Sequence, residues 1–420
     1  MAPSAIERPA SSRFRWTICT LLLLATVIAY VDRGVLAYLE KTLESIIGWN
    51  RQQYSYMTAA FQVAYAIGLV TAGWLTDKLG TRRGFAVAIS VWSVAAMTPG
   101  AAYSVATFGL AMFFLGLGES ANFPACIKTV AEWFPKNERA LAAGIFNAGA
   151  PIGAIAVPAV VPLLYASVGW RGAFFATGAL GVVWLLFWLK LYGNPERHPR
   201  VSEAELARIQ SDPPEKVGRL PWIGVVGRKE AWAFAIGKFL TDPVWWFYIF
   251  WIPRYLQGTF GLTLGASSGP VVAIYTISCI GSVGGGWLSS VMIQRGKSVN
   301  FSRKTAMLVC ALAVAPVAMV TRAGSVWAVV ALVGLAAAAH QGWSANLFTL
   351  TSDLFPKAAI GSVVGFGGMV GSAGGVLLQL LAGRVSYVVL FAIAGSAYLT
   401  ALVIVQLLTP RLEPVRIDVR

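Results

Sequence analysis

Long apolar runs alternate along the chain with short polar clusters. Twelve runs are bounded by charged residues, glycine or proline, and each approaches the roughly 20 residues that an α-helix needs to cross a bilayer. They cover 15–39, 54–73, 84–103, 105–130, 140–166, 172–192, 231–257, 266–293, 304–321, 325–351, 358–382 and 385–409. A β-barrel would show alternating segments of about ten residues instead. The pattern therefore predicts an all-α membrane protein with twelve transmembrane helices.

The composition agrees with this interpretation. Of the 420 residues, 57% are hydrophobic and only 12% are charged, and the mean hydropathy is +0.67. A water-exposed globule does not have such a composition. The first run is too long for the apolar region of a signal peptide and carries Asp32 and Arg33 near its far end, so we interpret it as helix 1.

One long polar stretch divides the chain into equal halves. Residues 193–230 form a predicted cytoplasmic linker between a six-helix bundle over 13–192 and a second over 231–410, with tails at 1–12 and 411–420. Within the linker, Ser202 and Glu205 have the spacing of a capping box, which predicts a short surface helix ending near Gln210.

The two halves also resemble each other. Gly73-Trp74-Leu75 recurs as Gly286-Trp287-Leu288, and Trp133-Phe134-Pro135-Lys136 recurs as Leu354-Phe355-Pro356-Lys357. The spacing of the second pair also relates Gly144 to Gly365 and Gly153 to Gly374. A duplicated bundle is typical of transporters that bind their substrate between the halves, near the bilayer midplane.

The positive charges predict the orientation. Most of the 33 Lys and Arg residues fall in the tails, in the linker and in alternate loops, which the positive-inside rule assigns to the cytoplasm. Both termini are therefore expected on the cytoplasmic side of a bacterial inner membrane. The net charge of +15 is interpreted as topology and contact with anionic lipid, and not as a nucleic-acid surface.

The loop after helix 2 carries the first specific motif. Residues 73–83 resemble the signature loop of the major facilitator superfamily, which implies the major facilitator fold. The resemblance implies a conformational latch on the cytoplasmic side, formed by Gly73, Asp77, Gly80, Arg82 and Arg83. A solvated cationic loop that follows the positive-inside rule is the alternative.

Charged residues inside the apolar runs are rare and are candidates for function, because each costs roughly 2.5–3.5 kcal/mol at mid-helix. In helix 1, Tyr30 and Arg33 share a face that can hold an anion, while Asp32 lies about 100° away. In helix 4, Glu119 and Asn122 share a face before a proline. The alternatives are an interfacial position for Asp32 and Arg33, and a packing role for Glu119.

Several helix motifs together resemble the anion:cation symporter family, across nearly the whole chain. They are Tyr30-Val31-Asp32-Arg33, Gly118-Glu119-Ser120-Ala121-Asn122-Phe123-Pro124, Glu132-Trp133-Phe134-Pro135 and the stretch 144–153. The resemblance implies a carboxylate clamp at Arg33, nearby site residues Tyr30 and Tyr65, and a cavity aromatic at Trp343. It further implies Asp32 and Glu119 as the proton-coupling carboxylates.

Helix 7 looks most like that of the hexuronate transporters of this family. Lys238 adds a second cation, Asp242 can accept hydrogen bonds from hydroxyl groups, and Trp245 and Trp246 can stack on a pyranose face. The alternatives are an ion pair between Lys238 and Asp242 and a lipid-facing or interface position for the two tryptophans.

A galactonate-type relative uses a Gln in helix 5 and an Asn in helix 11 for substrate hydroxyls. Here Ala150 and a glycine-rich stretch at 365–371 occupy those places, which shifts hydroxyl recognition to Asn147 or helix 7. His340 in helix 10 is interpreted as a hydrogen-bonded structural histidine, with a proton relay as the alternative.

These observations predict proton-coupled import of a sugar-acid anion, a hexuronate in the galacturonate or glucuronate class, by alternating access. The alternatives are a symporter for another organic anion, such as an aldonate, aldarate or aromatic carboxylate, and a non-transporting receptor. No motif indicates an enzyme, a nucleotide site or a metal site, so we expect no cofactor beyond the coupling proton. We also expect the protein to function as a monomer.

Overall fold

The computed structural model describes residues 12–211, 226–355, 357–413 and 415, and no β-strand occurs among them. Short 3₁₀ helices occupy Thr98–Ala101, Pro195–Arg197 and Ala315–Arg322. The α-helices of the described part are α1 (Phe14–Ile47), α2 (Arg51–Met97), α3 (Val105–Glu119), α4 (Asn122–Trp133), α5 (Lys136–Asn147), α6 (Gly149–Leu191), α7 (Glu203–Ile209), α8 (Lys229–Phe260), α9 (Ser268–Gln294), α10 (Val299–Val314), α11 (Val326–Leu354), α12 (Lys357–Arg384) and α13 (Tyr387–Leu408).

Two of these helices each contain two membrane-crossing segments joined at a glycine. Gly80 in α2 and Gly169 in α6 have φ of 74° and 70°, a conformation that favours glycine. Before Gly169, α6 runs alongside α1 in the same direction. After Gly169 it runs back, so that the Trp184 indole donates to the Leu21 carbonyl at 2.8 Å near the start of α1. Each glycine therefore marks a reversal of the chain.

Nine helical segments in the described residues are long and apolar enough to cross a membrane. One of them, Ala142–Leu191, holds two spans because of the reversal at Gly169. The first part of α2 and the aromatic-rich α8 complete twelve. The prediction of an all-α protein with twelve transmembrane helices is confirmed.

The sequence repeat has a counterpart in helix packing. A Cβ atom on Gly153 would lie 2.5 Å from the Cβ of Tyr30 in α1, the first helix of its half. The repeat-related Gly374 is equally crowded, since a Cβ there would lie 2.3 Å from the backbone oxygen of Phe239 in α8, the first helix of the second half. Each glycine thus permits the same close approach between equivalent helices.

The linker helix α7 begins where the sequence predicts, but half of the predicted capping box is absent. The Ser202 hydroxyl accepts from the Glu205 backbone N–H at 3.1 Å. The Glu205 carboxylate does not bond back to Ser202. It accepts instead from the backbone N–H groups of Phe14 and Arg15, both at 3.0 Å, and so caps the start of α1.

Further charges fasten the linker helix to the first half. The Arg15 guanidinium lies 2.8 Å from Glu138 and 3.1 Å from Glu205, and Arg208 of α7 lies 2.5 Å from Glu138. Burial alone would raise the pKa of the Glu205 carboxyl, but its hydrogen bonds lower that pKa below the ordinary 4.5. The pKa of Glu138 is lowered in the same way, by hydrogen bonds from Arg15 and Arg208 that outweigh its burial.

Candidate functional site

The centre of the site is a buried ion pair between α1 and α3. The Arg33 guanidinium lies 2.5 Å from the Glu119 carboxylate, and the side chains are only 3% and 0% exposed. Glu119 is the last residue of α3, and α4 begins at Asn122, so the helix breaks directly beside the carboxylate. Arg33 also donates to the Ala29 carbonyl at 3.2 Å. The burial of Arg33 argues against an interfacial position.

Aromatic rings from both halves surround the Arg33 guanidinium. Their centroids lie 4.3 Å away for Tyr30, 5.0 Å for Trp246, 5.4 Å for Phe61 and 5.8 Å for Tyr65. A guanidinium within about 6 Å of a ring face is attracted by the ring quadrupole. The predicted residues Tyr30, Tyr65 and Trp246 therefore meet at Arg33. Phe61 was missed, because a phenylalanine in an apolar run carries no distinguishing signal.

Asp32 and Asn122 lie within the first half. Asp32 is 3% exposed, and its carboxylate interacts with the Trp92 and Thr177 side chains. The amide nitrogen of Asn122 donates to the Thr26 hydroxyl at 3.1 Å, and the thiol of Cys126 approaches its amide oxygen at 3.6 Å. Those contacts occupy the Asn122 side chain, so a role in substrate binding stays a prediction.

In helix α8, Lys238 and Asp242 pair with each other. Their charged atoms lie 2.6 Å apart, and the Lys238 ammonium also lies 4.6 Å from the Phe348 ring centroid. The structure therefore has the ion pair that the sequence left open as an alternative. Trp245 and Trp246 are 6% and 7% exposed, which excludes the alternative of a lipid-facing position.

Behind Trp245 lies a group of polar aromatic side chains from the second half. The His340 ring stacks on Trp245 with centroids 5.1 Å apart and an interplanar angle of 6°. His340 Nδ1 is 2.6 Å from the Tyr398 hydroxyl. Trp343 is fully buried against the edge of Tyr398, with centroids 5.4 Å apart, and its indole nitrogen has no partner among the described residues.

A small pocket of about 20 Å³ lies between the halves beside this site. Both halves line it, through Tyr30, Gly34, Tyr38, Ala154, Val157, Pro158, Ile249, Pro253, Val271 and Tyr275. A volume of this size holds about one water molecule. Asn147 is exposed at the end of α5 and is not among the lining residues, so its proposed contact with hydroxyl groups stays a prediction.

A second group of buried ion pairs joins the two halves. It lies near the C-terminal end of α1, away from the linker. Arg254 of α8 pairs with Glu40, which is fully buried, and with Glu44 at 2.9 Å. The Trp49 indole donates to Glu40 at 3.3 Å. We name Glu40, Glu44 and Arg254 the inter-half ion cluster. Nothing in the sequence around Arg254 identifies partners more than 200 residues away.

The predicted latch is described in part. Gly80 forms the turn within α2, and the Arg82 guanidinium donates to the Leu189 carbonyl of α6. Arg83 is exposed. Gly73 and Asp77 lie in a stretch whose side chains fall outside the described part. The latch role of all five residues stays a prediction.

Two repeat-related helical halves with a buried charged site between them define a membrane transporter. The chain belongs to the Major Facilitator Superfamily, whose family model matches residues 22–379. It is therefore a multi-pass transporter and not an enzyme, as the signature loop and the helix motifs predicted.

Its relatives include sugar-acid transporters. The chain is 30% identical over 379 residues to the hexuronate transporter of Escherichia coli (strain K12), covering 89% of this chain and 88% of that one. It is 31% identical over 305 residues to the galacturonate transporter of Dickeya chrysanthemi, covering 71% and 88%. Among solved structures, a D-xylose-proton symporter has the same fold, with a TM-score of 0.72, 14% identity and coverage of 95% and 99%.

Proposed function

We propose that this protein imports a sugar-acid anion, of the hexuronate class, together with protons by alternating access. The observation that carries the proposal is the Arg33–Glu119 ion pair, buried among aromatic rings from both halves. Arginine binds carboxylates in a planar, charge-assisted geometry. Aromatic faces beside it suit the apolar face of a sugar ring. The names of the two relatives support the choice of a hexuronate.

The pair also suggests how a proton is coupled to the anion. Glu119 and a substrate carboxylate compete for the same guanidinium, because Arg33 is the cation that Glu119 contacts. A proton on Glu119 removes its charge and frees Arg33 for the substrate. Binding of the proton and of the anion therefore favour each other, and this linkage is reciprocal.

Asp32 is the second proposed proton carrier. A buried carboxylate that is not part of an ion pair is costlier charged than protonated. Asp32 is next to Arg33 in the chain, but the ion pair of Arg33 among the described residues is with Glu119. Movement of α1 during the transport cycle would change the surroundings of both residues together. We further propose a bacterial inner membrane and cytoplasmic termini, in line with the charge distribution, and a functional monomer.

The test is uptake of labelled galacturonate into proteoliposomes, with and without an inward proton gradient at matched membrane potential. Wild-type uptake should saturate and rise with the gradient. Glu119→Gln should abolish the stimulation while exchange of internal for external substrate continues. Glu132→Gln is the matched control, since this carboxylate of α4 bonds to Thr81 and Tyr192 away from Arg33.

The clamp is tested in the background of Glu119→Gln, where loss of Arg33 leaves no unpaired buried charge. Arg33→Gln in that background should weaken galacturonate binding about 10- to 100-fold, since a hydrogen bond to a charged group contributes about 1.5–3 kcal/mol. Unchanged binding would remove Arg33 from the site. Gradient-driven uptake of a different acid from a panel of aldonates, aldarates and aromatic carboxylates would keep the transporter but replace the substrate.

A further inference from the structure

Each half contributes one ion pair to the middle of the molecule. Arg33 and Glu119 form the first, between α1 and α3, and Lys238 and Asp242 form the second, one turn apart in α8. Each cation has its own carboxylate, so each pair as a whole carries no charge. A charge without compensation is costly inside a membrane. The number of surplus positive charges between the halves therefore limits the number of carboxylates that a substrate can bring.

The second pair lies close to Arg33, on a face of α8 that meets the first half. Asp242 and Trp246 are four residues apart and share that face, and the Trp246 ring centroid lies 5.0 Å from the Arg33 guanidinium. Asp242 also interacts electrostatically with Tyr30 and Tyr65, whose ring centroids lie 4.3 and 5.8 Å from the same guanidinium. Along α8, the carboxylate is thus one helical turn, roughly 5–6 Å, from the ring that covers Arg33.

The second pair is accessible to solvent, unlike the first. The Asp242 side chain is 21% exposed, whereas that of Glu119 is fully buried. Gly371 of α12 contributes to this access, because a Cβ atom there would lie 2.9 Å from the Asp242 carboxylate and 3.2 Å from the Cβ of Lys238. The missing side chain leaves the pair uncovered, so a ligand held by Arg33 can extend to it.

We propose that Asp242 is a specificity-determining residue that restricts the substrate to one carboxylate, a role that rests on the proposed sugar-acid transport. With Asp32 and Glu119 protonated, Arg33 is the surplus cation, and one substrate carboxylate neutralises it. Lys238 is a second cation, but Asp242 occupies it. A second carboxylate would have to displace Asp242 and would leave a negative charge unpaired, which discriminates against dicarboxylates. A hydroxyl at the same place can accept from Lys238 and donate to Asp242.

The experiment measures binding of three acids to the purified protein by calorimetry. Galacturonate has one carboxylate, and galactarate has one at each end of its carbon chain. Galactonate shares the open chain of galactarate but has a single carboxylate. Asp242→Asn keeps the size of the side chain and frees Lys238 for a second carboxylate. We expect this variant to shift the ratio of galactarate to galacturonate affinity at least about tenfold towards galactarate, as for one charged hydrogen bond, with no such gain for galactonate.

Two further variants sharpen the result. The double variant of Lys238→Gln and Asp242→Asn removes both charges of the second pair, so it should return the ratio to that of the wild type, even where all three acids bind more weakly. Asp353→Asn is the matched control, since Asp353 also pairs with a cation, Arg303 at 3.1 Å, and its side chain is similarly exposed, at 24%. It lies in the last turn of α11, and it should leave the ratio unchanged.

An unchanged ratio in Asp242→Asn, or an equal change for all three acids, would overturn the proposal. A wild type that prefers galactarate would also overturn it, while leaving sugar-acid transport intact. If Asp242→Asn does not fold, Lys238→Gln supplies the test. Asp242 is then unpaired, so galactarate should weaken about tenfold more than galacturonate, and equal weakening would refute the proposal. A folded wild type that binds no sugar acid would remove the proposed function together with this inference.

Discussion

The inter-half ion cluster allows a prediction about the free energy of unfolding, because Glu40 and Arg254 are much more buried than the neighbouring Lys41. The Glu40 side chain is fully buried and that of Arg254 is 10% exposed, while Lys41, which pairs with Glu44, is 37% exposed. Breaking a buried pair by removing one partner costs about 3–5 kcal/mol, since a charge is left without compensation. Exposed pairs contribute about 0.2–1 kcal/mol.

Arg254→Gln should therefore lower the free energy of unfolding by about 3–5 kcal/mol, because Glu40 keeps only its bond from Trp49. Glu40→Gln should cost less, since Arg254 still has Glu44 at 2.9 Å. The double variant should cost less than the sum of the two single changes, with a coupling energy of about 1–3 kcal/mol. Lys41→Gln is the internal control, with a cost below about 1 kcal/mol.

Unfolding by SDS in mixed micelles measures these differences. The double-mutant cycle is the decisive part, because it separates the interaction from the local effect of each substitution. If Arg254→Gln costs no more than Lys41→Gln, or if the two changes simply add, the buried pair does not hold the halves together and the reasoning from burial is wrong.

Two other predictions concern packing and the linker. Gly285→Ala should destabilise the protein in a thermal-unfolding assay, because its Cβ would lie 2.1 Å from the Gly342 backbone. Gly284→Ala is the control, since its Cβ meets nothing within 4 Å, and it should be neutral or stabilising. Equal effects of the two substitutions would contradict this packing. The contribution of Glu205 and Glu138 to linker docking should be fully present above about pH 4.5 and lost as the pH falls through their lowered pKa values. Hydrogen exchange of α7, corrected for its intrinsic pH dependence, measures this loss, and protection that is unchanged at low pH would refute it.

The fold could be predicted from the sequence because the bilayer imposes simple rules. Each span needs an apolar run of fixed length, and its backbone must satisfy its own hydrogen bonds in a helix. Glycines at helix contacts can likewise be found from the repeat, as Gly153 and Gly374 show. The capping of α7 by Ser202 depends only on neighbouring residues, and for that reason it was predicted correctly.

The candidate site was predicted in part. Rare charges in apolar surroundings drew attention to Arg33, Glu119 and Lys238, since such residues are costly and must have partners. Which partner each one takes depends on how the helices pack. The sequence therefore left open whether Lys238 meets Asp242 or a substrate, and the structure has the pair.

The class of protein, the number of spans and the residues able to carry charge follow from the amino-acid sequence. Helix packing is what brings Glu205 to the start of α1, Arg254 to Glu40, and the His340 ring flat against Trp245. Each of these contacts joins segments far apart in the chain. The periodicity of a helix specifies which face a residue occupies, but only the packing of the helices determines what that face meets.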